Sequence, residues 1–250
     1  MENLVAKMRA SGWGETLRTV VYAVIIALGI RTFAYEPFNI PSGSMIPTLL
    51  VGDFLFVSKF SYGYSRYSLP FSLPLISDRV FASEPERGDV IVFKLPKDNK
   101  TDYIKRLIGL PGDRIQMKHG ILHINGEPVS RRLVATHEKT SYLGQSFEVL
   151  EYVETLPGGR THRILEESDQ ETYDQTAEYV VPEGHFFFMG DNRDSSLDSR
   201  AQHHVGFVPF KNLVGRAEFL FFSREVTAPW WQFWRWPADI RWGRIGNGIE

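Results

Sequence analysis

The segment Pro41-Ser42-Gly43-Ser44-Met45-Ile46-Pro47-Thr48 carries hydroxyls that could serve as a nucleophile. Two prolines stiffen its ends and the glycine leaves its middle permissive, so a hydroxyl can be held in one direction beside backbone amides. A nucleophile with an oxyanion hole needs that arrangement. An ordinary Ser/Pro-rich turn has the same composition. A second segment, Tyr103-Ile104-Lys105-Arg106-Leu107-Ile108-Gly109-Leu110-Pro111-Gly112-Asp113, reads as a strand running into a turn. Residues two apart on a strand share a face, which sets Lys105 with Tyr103 and Leu107 among apolar neighbours. Such a lysine is either a snorkelling edge residue or a desolvated amine. At the ordinary pKa of about 10.4, only about one lysine in 2500 is a free base at neutral pH. Burial that lowers the pKa by about three costs about 4 kcal/mol and yields a competent general base. The third segment, Gly190-Asp191-Asn192-Arg193-Asp194-Ser195-Ser196-Leu197-Asp198-Ser199-Arg200, alternates in charge and suits internal ion pairs that hold a long loop rigid.

Other chemistry is excluded by inspection. The chain has no S-x-x-K, no G-x-S-x-G elbow, no H-E-x-x-H and no P-loop. His119 and His123 have helical metal spacing, but Gly120 and Asn125-Gly126 imply strands that point them apart. Asp191, Asp194 and Asp198 match a calcium loop only loosely, because Arg193 takes a ligand position. No cofactor or metal is called for. Cysteine is absent, which removes disulfides, thiolate metal sites and a cysteine nucleophile. With 28 Lys and Arg against 30 Asp and Glu, the net charge of -2 offers no field for a phosphate backbone, so nucleic acid is not an expected partner.

The elements that must position these segments are strands. Asp53–Phe60, Asp89–Leu95, Tyr103–Leu110, Ile121–Ile124, Phe147–Leu156, Thr161–Leu165 and Phe186–Met189 are apolar, β-branched or aromatic runs bounded by turns. Asn125-Gly126 and Pro157-Gly158-Gly159 read as hairpins. No long helical period follows the N-terminal segment, so the fold expected is mainly β: a transmembrane helix, then an antiparallel sheet with an inserted β subdomain. A membrane anchor is expected over 17–35, with Arg18 and Arg31 near its ends and a length of about 28 Å. A cleaved signal peptide is the alternative, but Thr32 two residues before Ala34 makes a poor cleavage site. Lys7, Arg9 and Arg18 place residues 1–16 in the cytoplasm. Residues 36–115 and 185–225 form the expected core, and 116–184, polar and acid-rich from Glu166 to Glu178, an insert whose acidic run reads as a solvated face. The tail, 226–250, gathers Trp230, Trp231, Trp234, Trp236, Trp242 and Phe233 among Arg235, Arg241 and Arg244. It suits either membrane lipid or packing on the domain.

Five segments together resemble the bacterial type I signal peptidase family: PSGSMIPTL at Pro41–Leu49, GDFLFVSKFSYG at Gly52–Gly63, RGDVIVFKLP at Arg87–Pro96, YIKRLIGLPGD at Tyr103–Asp113 and GDNRDSSLDSR at Gly190–Arg200. The resemblance implies a membrane-bound serine endopeptidase of the bacterial inner membrane, with its catalytic domain on the outer face. Its partners are signal peptides of exported preproteins, cut after small residues at the first and third positions before the bond. It further implies Ser44 as nucleophile, Lys105 as general base, Ser42 in the oxyanion hole and Ser196 as the residue that orients the lysine. Asp191, Arg193, Asp198 and Arg200, with Arg106, fall on the polar support, and Phe38, Ile40, Leu49 and Ile104 on the substrate pockets. A single anchor departs from family members with two spans. The competing readings are a Ser-Lys autoprotease and a non-catalytic, membrane-tethered binding module.

Overall fold

The computed structural model describes residues 2–69, 72–140, 146–225, 231, 234 and 236–249. A helix, α1 (Glu2–Phe33), opens the chain. Its stretch Trp13–Phe33, 21 residues of mean hydropathy 1.5, is almost wholly exposed and is long and apolar enough to cross a membrane. At 1.5 Å per residue it covers about 31 Å, against roughly 30 Å of hydrocarbon. The expected 17–35 boundary shifts: Ala34 closes the last turn on Ile30 O, and Tyr35 already pairs with Ser58 as a strand. Pro37 explains the change, since a helix cannot continue through it or comfortably through the residue before it.

Fourteen strands follow: β1 (Tyr35–Asn39), β2 (Asp53–Ser58), β3 (Val90–Lys94), β4 (Asp102–Gly109), β5 (Arg114–Lys118), β6 (Ile121–Ile124), β7 (Glu127–Pro128), β8 (Ser130–Thr140), β9 (Ser146–Thr155), β10 (Thr161–Glu166), β11 (Tyr179–Val180), β12 (His185–Met189), β13 (Val208–Pro209) and β14 (Leu213–Ser223). Seven of them form one curled sheet in the order β1-β2-β14-β3-β4-β12-β13, every neighbouring pair antiparallel. Near its middle, β3 is buried on both faces. Val90 and Val92 join Leu55, Val57 and Val214 on one side, while Ile91 and Phe93 join Leu107, Phe186 and Phe188 on the other. Burial on both faces is why Val90-Ile91-Val92-Phe93 is a continuous apolar run rather than an alternating one.

Between β4 and β12 the chain leaves this sheet and builds two smaller ones, β11-β5-β6-β7 and β10-β9-β8. Ile115, Met117, Leu122, Ile124, Val129 and Leu156 from this region pack on Ile108, Phe187 and Met189 of the main sheet, so the inserted strands share its core. Asn125 and Gly126, both at positive φ (57° and 89°), make the turn from β6 to β7. Trp231, Trp234 and Trp242 of the tail are exposed, whereas Arg241 donates to Val51 O and Arg224 O, and Arg244 to Asp53 at 2.6 Å. Arginines thus tie the tail back while these three indoles face outward. Trp230, Phe233 and Arg235 lie outside the described residues.

Candidate active site

The free edge of β1 and its continuation, from Phe38 to Ser42, lines one wall of a cleft of about 400 Å³, and Asp102 to Lys105 of β4 line another. Along β4, pairing with β3 covers Asp102–Arg106, but β12 pairs only from Arg106 onward, so no strand lies beside the other edge of Asp102–Lys105. Three strands separate β1 from β4 in a sheet of antiparallel neighbours, so the two run in the same direction. The cleft is therefore a slot between two open strand edges, and open edges offer backbone donors and acceptors to an incoming strand.

At one end of the slot the Lys105 Nζ donates to Ser44 Oγ at 2.7 Å and to Ile104 O at 2.9 Å. Ser44 is 9% exposed and Lys105 4%. The ammonium also lies 5.3 Å from the centre of the Tyr103 ring. Burial brings the lysine pKa down from 10.5 to about 8, against the opposite pull of Asp198 and Asp191. That pull is blunted because each carboxylate already has an arginine. Arg106 grips Asp191 through Nε at 2.8 Å and Nη2 at 2.7 Å, and Arg200 grips Asp198 through Nε and Nη2, both at 2.9 Å. Both acids stay below the usual carboxylate range: burial alone would raise them, but these guanidinium charges and hydrogen bonds outweigh it.

Most of the expected site residues converge here. Ser42 Oγ is 3.5 Å from Ser44 Oγ, at the mouth of the cleft. Phe38, Ile40 and Ile104 line the walls. Leu49 differs: the tight turn after Met45, closed by Leu49 N–H to Met45 O at 2.9 Å, carries it inward, and it is fully buried in the core beneath the cleft. Ser196 also differs. It packs over Gly190, where a Cβ would come within 2.5 Å of the Ser44 carbonyl and closer still to the Ser196 hydroxyl. That hydroxyl is buried with no well-formed hydrogen bond and makes only a loose approach to Asp198, so the lysine receives its second contact from Ile104 O instead. Arg193 is buried too, but it faces the insert rather than the cleft: both its Nη atoms donate to Glu154 of β9.

Several contributors escaped the sequence reading. Asn192 holds the serine loop through its N–H to Ser44 O and its Nδ2 to Gly43 O, each at 3.1 Å. Thr48 Oγ1 donates to Asp191 Oδ2 at 2.5 Å. Ser195 and Leu197 line the cleft. Asn192 sits inside a motif already noticed, and only its distance in sequence from Ser44 hid its partner. The acidic run of the insert is not a solvated face throughout. Glu166 and Asp174 are each 1% exposed, and burial pushes Glu166 up to about 7 although Arg193 and Arg131 oppose it. Among the described residues no group of His, Asp and Glu is arranged to hold a metal ion.

Comparison with known proteins agrees with this chemistry. The family model for signal peptidase, peptidase S26, matches residues 13–222. Signal peptidase I of Rickettsia typhi is 47% identical over 226 residues, 87% of this chain and 82% of the relative. Signal peptidase I of Rickettsia canadensis is 45% identical over 233 residues, 90% and 83% of the two chains. A crystal structure of a signal peptidase I from Enterococcus faecalis V583 is 30% identical and covers 54% of this chain and 97% of its own, with a TM-score of 0.32. A match over most of the chain and identities near one half over most of both partners leave one assignment: this chain belongs to the signal peptidase family, peptidase S26, and is a serine endopeptidase.

Proposed function

We propose that the protein removes N-terminal signal peptides from exported preproteins with a dyad of Ser44 and Lys105. The observation that carries this reading is the 2.7 Å contact between a buried amine and a buried hydroxyl at the end of the cleft. With a pKa of about 8, about one tenth of that amine is free base at pH 7, some 200 times the fraction of an ordinary lysine. Neutral Lys105 takes the Ser44 proton as Oγ bonds to the scissile carbonyl carbon. The carbonyl electron pair moves to oxygen, where the Ser42 hydroxyl and the Ser44 N–H receive it. Collapse breaks the C–N bond, and the ammonium returns its proton to the leaving amine. A water deprotonated by the same lysine then opens the ester, and the carboxyl product leaves with Ser44 restored.

The substrate enters as an extended strand between the open edges of β1 and β4. Alternate side chains of such a strand point the same way, so the first and third residues before the bond both face Phe38, Ile40 and Ile104. Walls this close admit small residues at those two positions. Arg106 with Asp191 and Arg200 with Asp198 hold the loops that set the geometry. The Trp13–Phe33 span lies in the cytoplasmic membrane, with Lys7 and Arg9 on the cytoplasmic side and the β domain outside, resting its outward indoles on lipid.

Incubating the full chain in detergent with a purified preprotein, followed by mass spectrometry of the new N-terminus, tests the function. One cut after a small-x-small sequence is expected, and cleavage of the chain alone without turnover of preprotein would contradict it. Ser42→Ala removes one oxyanion donor and is expected to lower kcat about 10²-fold with little change in KM. An unchanged rate would take Ser42 out of that role.

A further inference from the structure

Nothing in the catalytic steps uses the most deeply buried ion pair between the insert and the serine loop. Arg193 and Glu154 are each 1% exposed, and the guanidinium meets the carboxylate with both Nη atoms, one contact at 2.8 Å. The pair does not stand alone. Glu154 lies in β9 opposite Arg131 of β8 and His162 of β10. The His162 Nε2 is 3.3 Å from the same carboxylate, and Arg131 turns away to Glu166 and Asp169. One residue along the loop, the backbone is clipped as well. Leu165 N–H donates to Asp191 O at 2.8 Å and Arg193 N–H to Leu165 O at 2.9 Å, a short parallel bridge between β10 and the loop centred on Asn192. Asn192 in turn donates to the carbonyls of Gly43 and Ser44.

From this chain of contacts we infer that Glu154 is a positioning residue for the nucleophile, acting through Arg193 and Asn192 on the backbone that carries Ser44; the inference rests on the reading of Ser44 as nucleophile. The insert then sets the aim of the hydroxyl as well as sharing the core. Two anchors, one through a side chain and one through the backbone, fix Asn192 from the insert side. Its two hydrogen bonds then fix Gly43 and Ser44 from the side away from Lys105. Neutralising Glu154 leaves the Arg193 guanidinium buried beside an uncharged amide, and the loop shifts to let it reach another acceptor or water. A shift of about 1 Å at a reacting atom is enough to lower a rate by up to about 10²-fold.

The test uses the full chain in detergent with a preprotein, comparing Glu154→Gln and Glu154→Asp with the parent and with Ser44→Ala. Glu154→Gln is expected to lower kcat at least tenfold per folded molecule, with KM within twofold. Hydrogen exchange at the Asn192 amide should quicken while amides of β2 and β14 keep their protection. Glu154→Asp retains the charge and should recover part of kcat. A lower melting temperature with unchanged kcat per folded molecule would make the pair merely structural and overturn the inference. If Glu154→Gln does not fold, Glu154→Asp decides alone: parental kcat and parental exchange at Asn192 would overturn it, and a loss of kcat at constant KM would support it. Activity in Ser44→Ala would instead sink the nucleophile assignment, whatever the Glu154 variants do.

Discussion

Ser44→Ala is expected to leave no measurable cleavage of a preprotein at any pH, a loss of about 10⁶-fold if the residual rate can be followed. Alanine removes the only atom that can form the ester, and no other hydroxyl in the slot substitutes for it: Ser42 Oγ lies 3.5 Å away, and Lys105 donates to Ser44 rather than to it. The fold should survive. Deleting one hydroxyl takes a single hydrogen bond from Lys105, which keeps its contact to Ile104 O at 2.9 Å, and stability should change by about 1 kcal/mol. A preprotein digest read by mass spectrometry, alongside thermal unfolding, separates the two effects. Turnover in a folded Ser44→Ala chain would refute the assignment.

The second large effect is Lys105→Met, which keeps the length of the side chain and removes the base. A positioned general base contributes about 10²- to 10⁴-fold, and here the same group also returns the proton and activates the water, so the loss should reach about 10⁴-fold or more. Stability should hold or rise, because methionine spares the desolvation of an amine that is 4% exposed. An inactive variant at least as stable as the parent would mark the lysine as chemical rather than architectural. The parent supplies the matching pH signature. Neutral amine is the working form, so kcat/KM should climb tenfold per pH unit up to about 8 and then level off. The folded pKa lies below the unfolded value of 10.5, so the unfolded chain binds more protons between pH 8 and 10.5. Stability should therefore rise by about 3 kcal/mol across that window as pH increases. In Lys105→Met both the limb and that rise should vanish; a limb that persists in residual activity would assign it to another group.

Much of the sheet was legible because its central strands carry their partners' demands in their own composition. β3, β4 and β12 are apolar runs buried by the sheet around them, and β6 and β10 are set by the turns beside them. The strands that went unseen have local patterns that point elsewhere. β1 carries Pro37, tolerated only because it is an edge strand. β8 is polar and exposed over most of its length and is bulged between Leu133 and Ala135, so only its long pairing with β9 makes it a strand. β14 is interrupted by Gly215 and shifts register near Ala217 and again near Leu220, which erases a simple alternation in LVGRAEFLFFS. The site divides on the same line. Ser44 and Lys105 stand in motifs whose residue types state their chemistry. Leu49, by contrast, is turned inward by a backbone hydrogen bond, and Glu154 meets Arg193 only because two separate sheets dock. Such contacts are decided by tertiary approach, and no spacing within either segment encodes them.

The apolar helix ends at Phe33 and the chain passes almost at once into β1, whose continuation reaches Ser44 eleven residues later. A preprotein laid alongside that strand covers the same ground residue for residue. The interval between where a greasy segment leaves the bilayer and where it is severed is thus a fixed measure, set by the enzyme's own covalent length. A leader whose polar stretch is too short would halt before reaching the serine, and one much longer would have to buckle, so the membrane and the strand together act as a ruler for the cut.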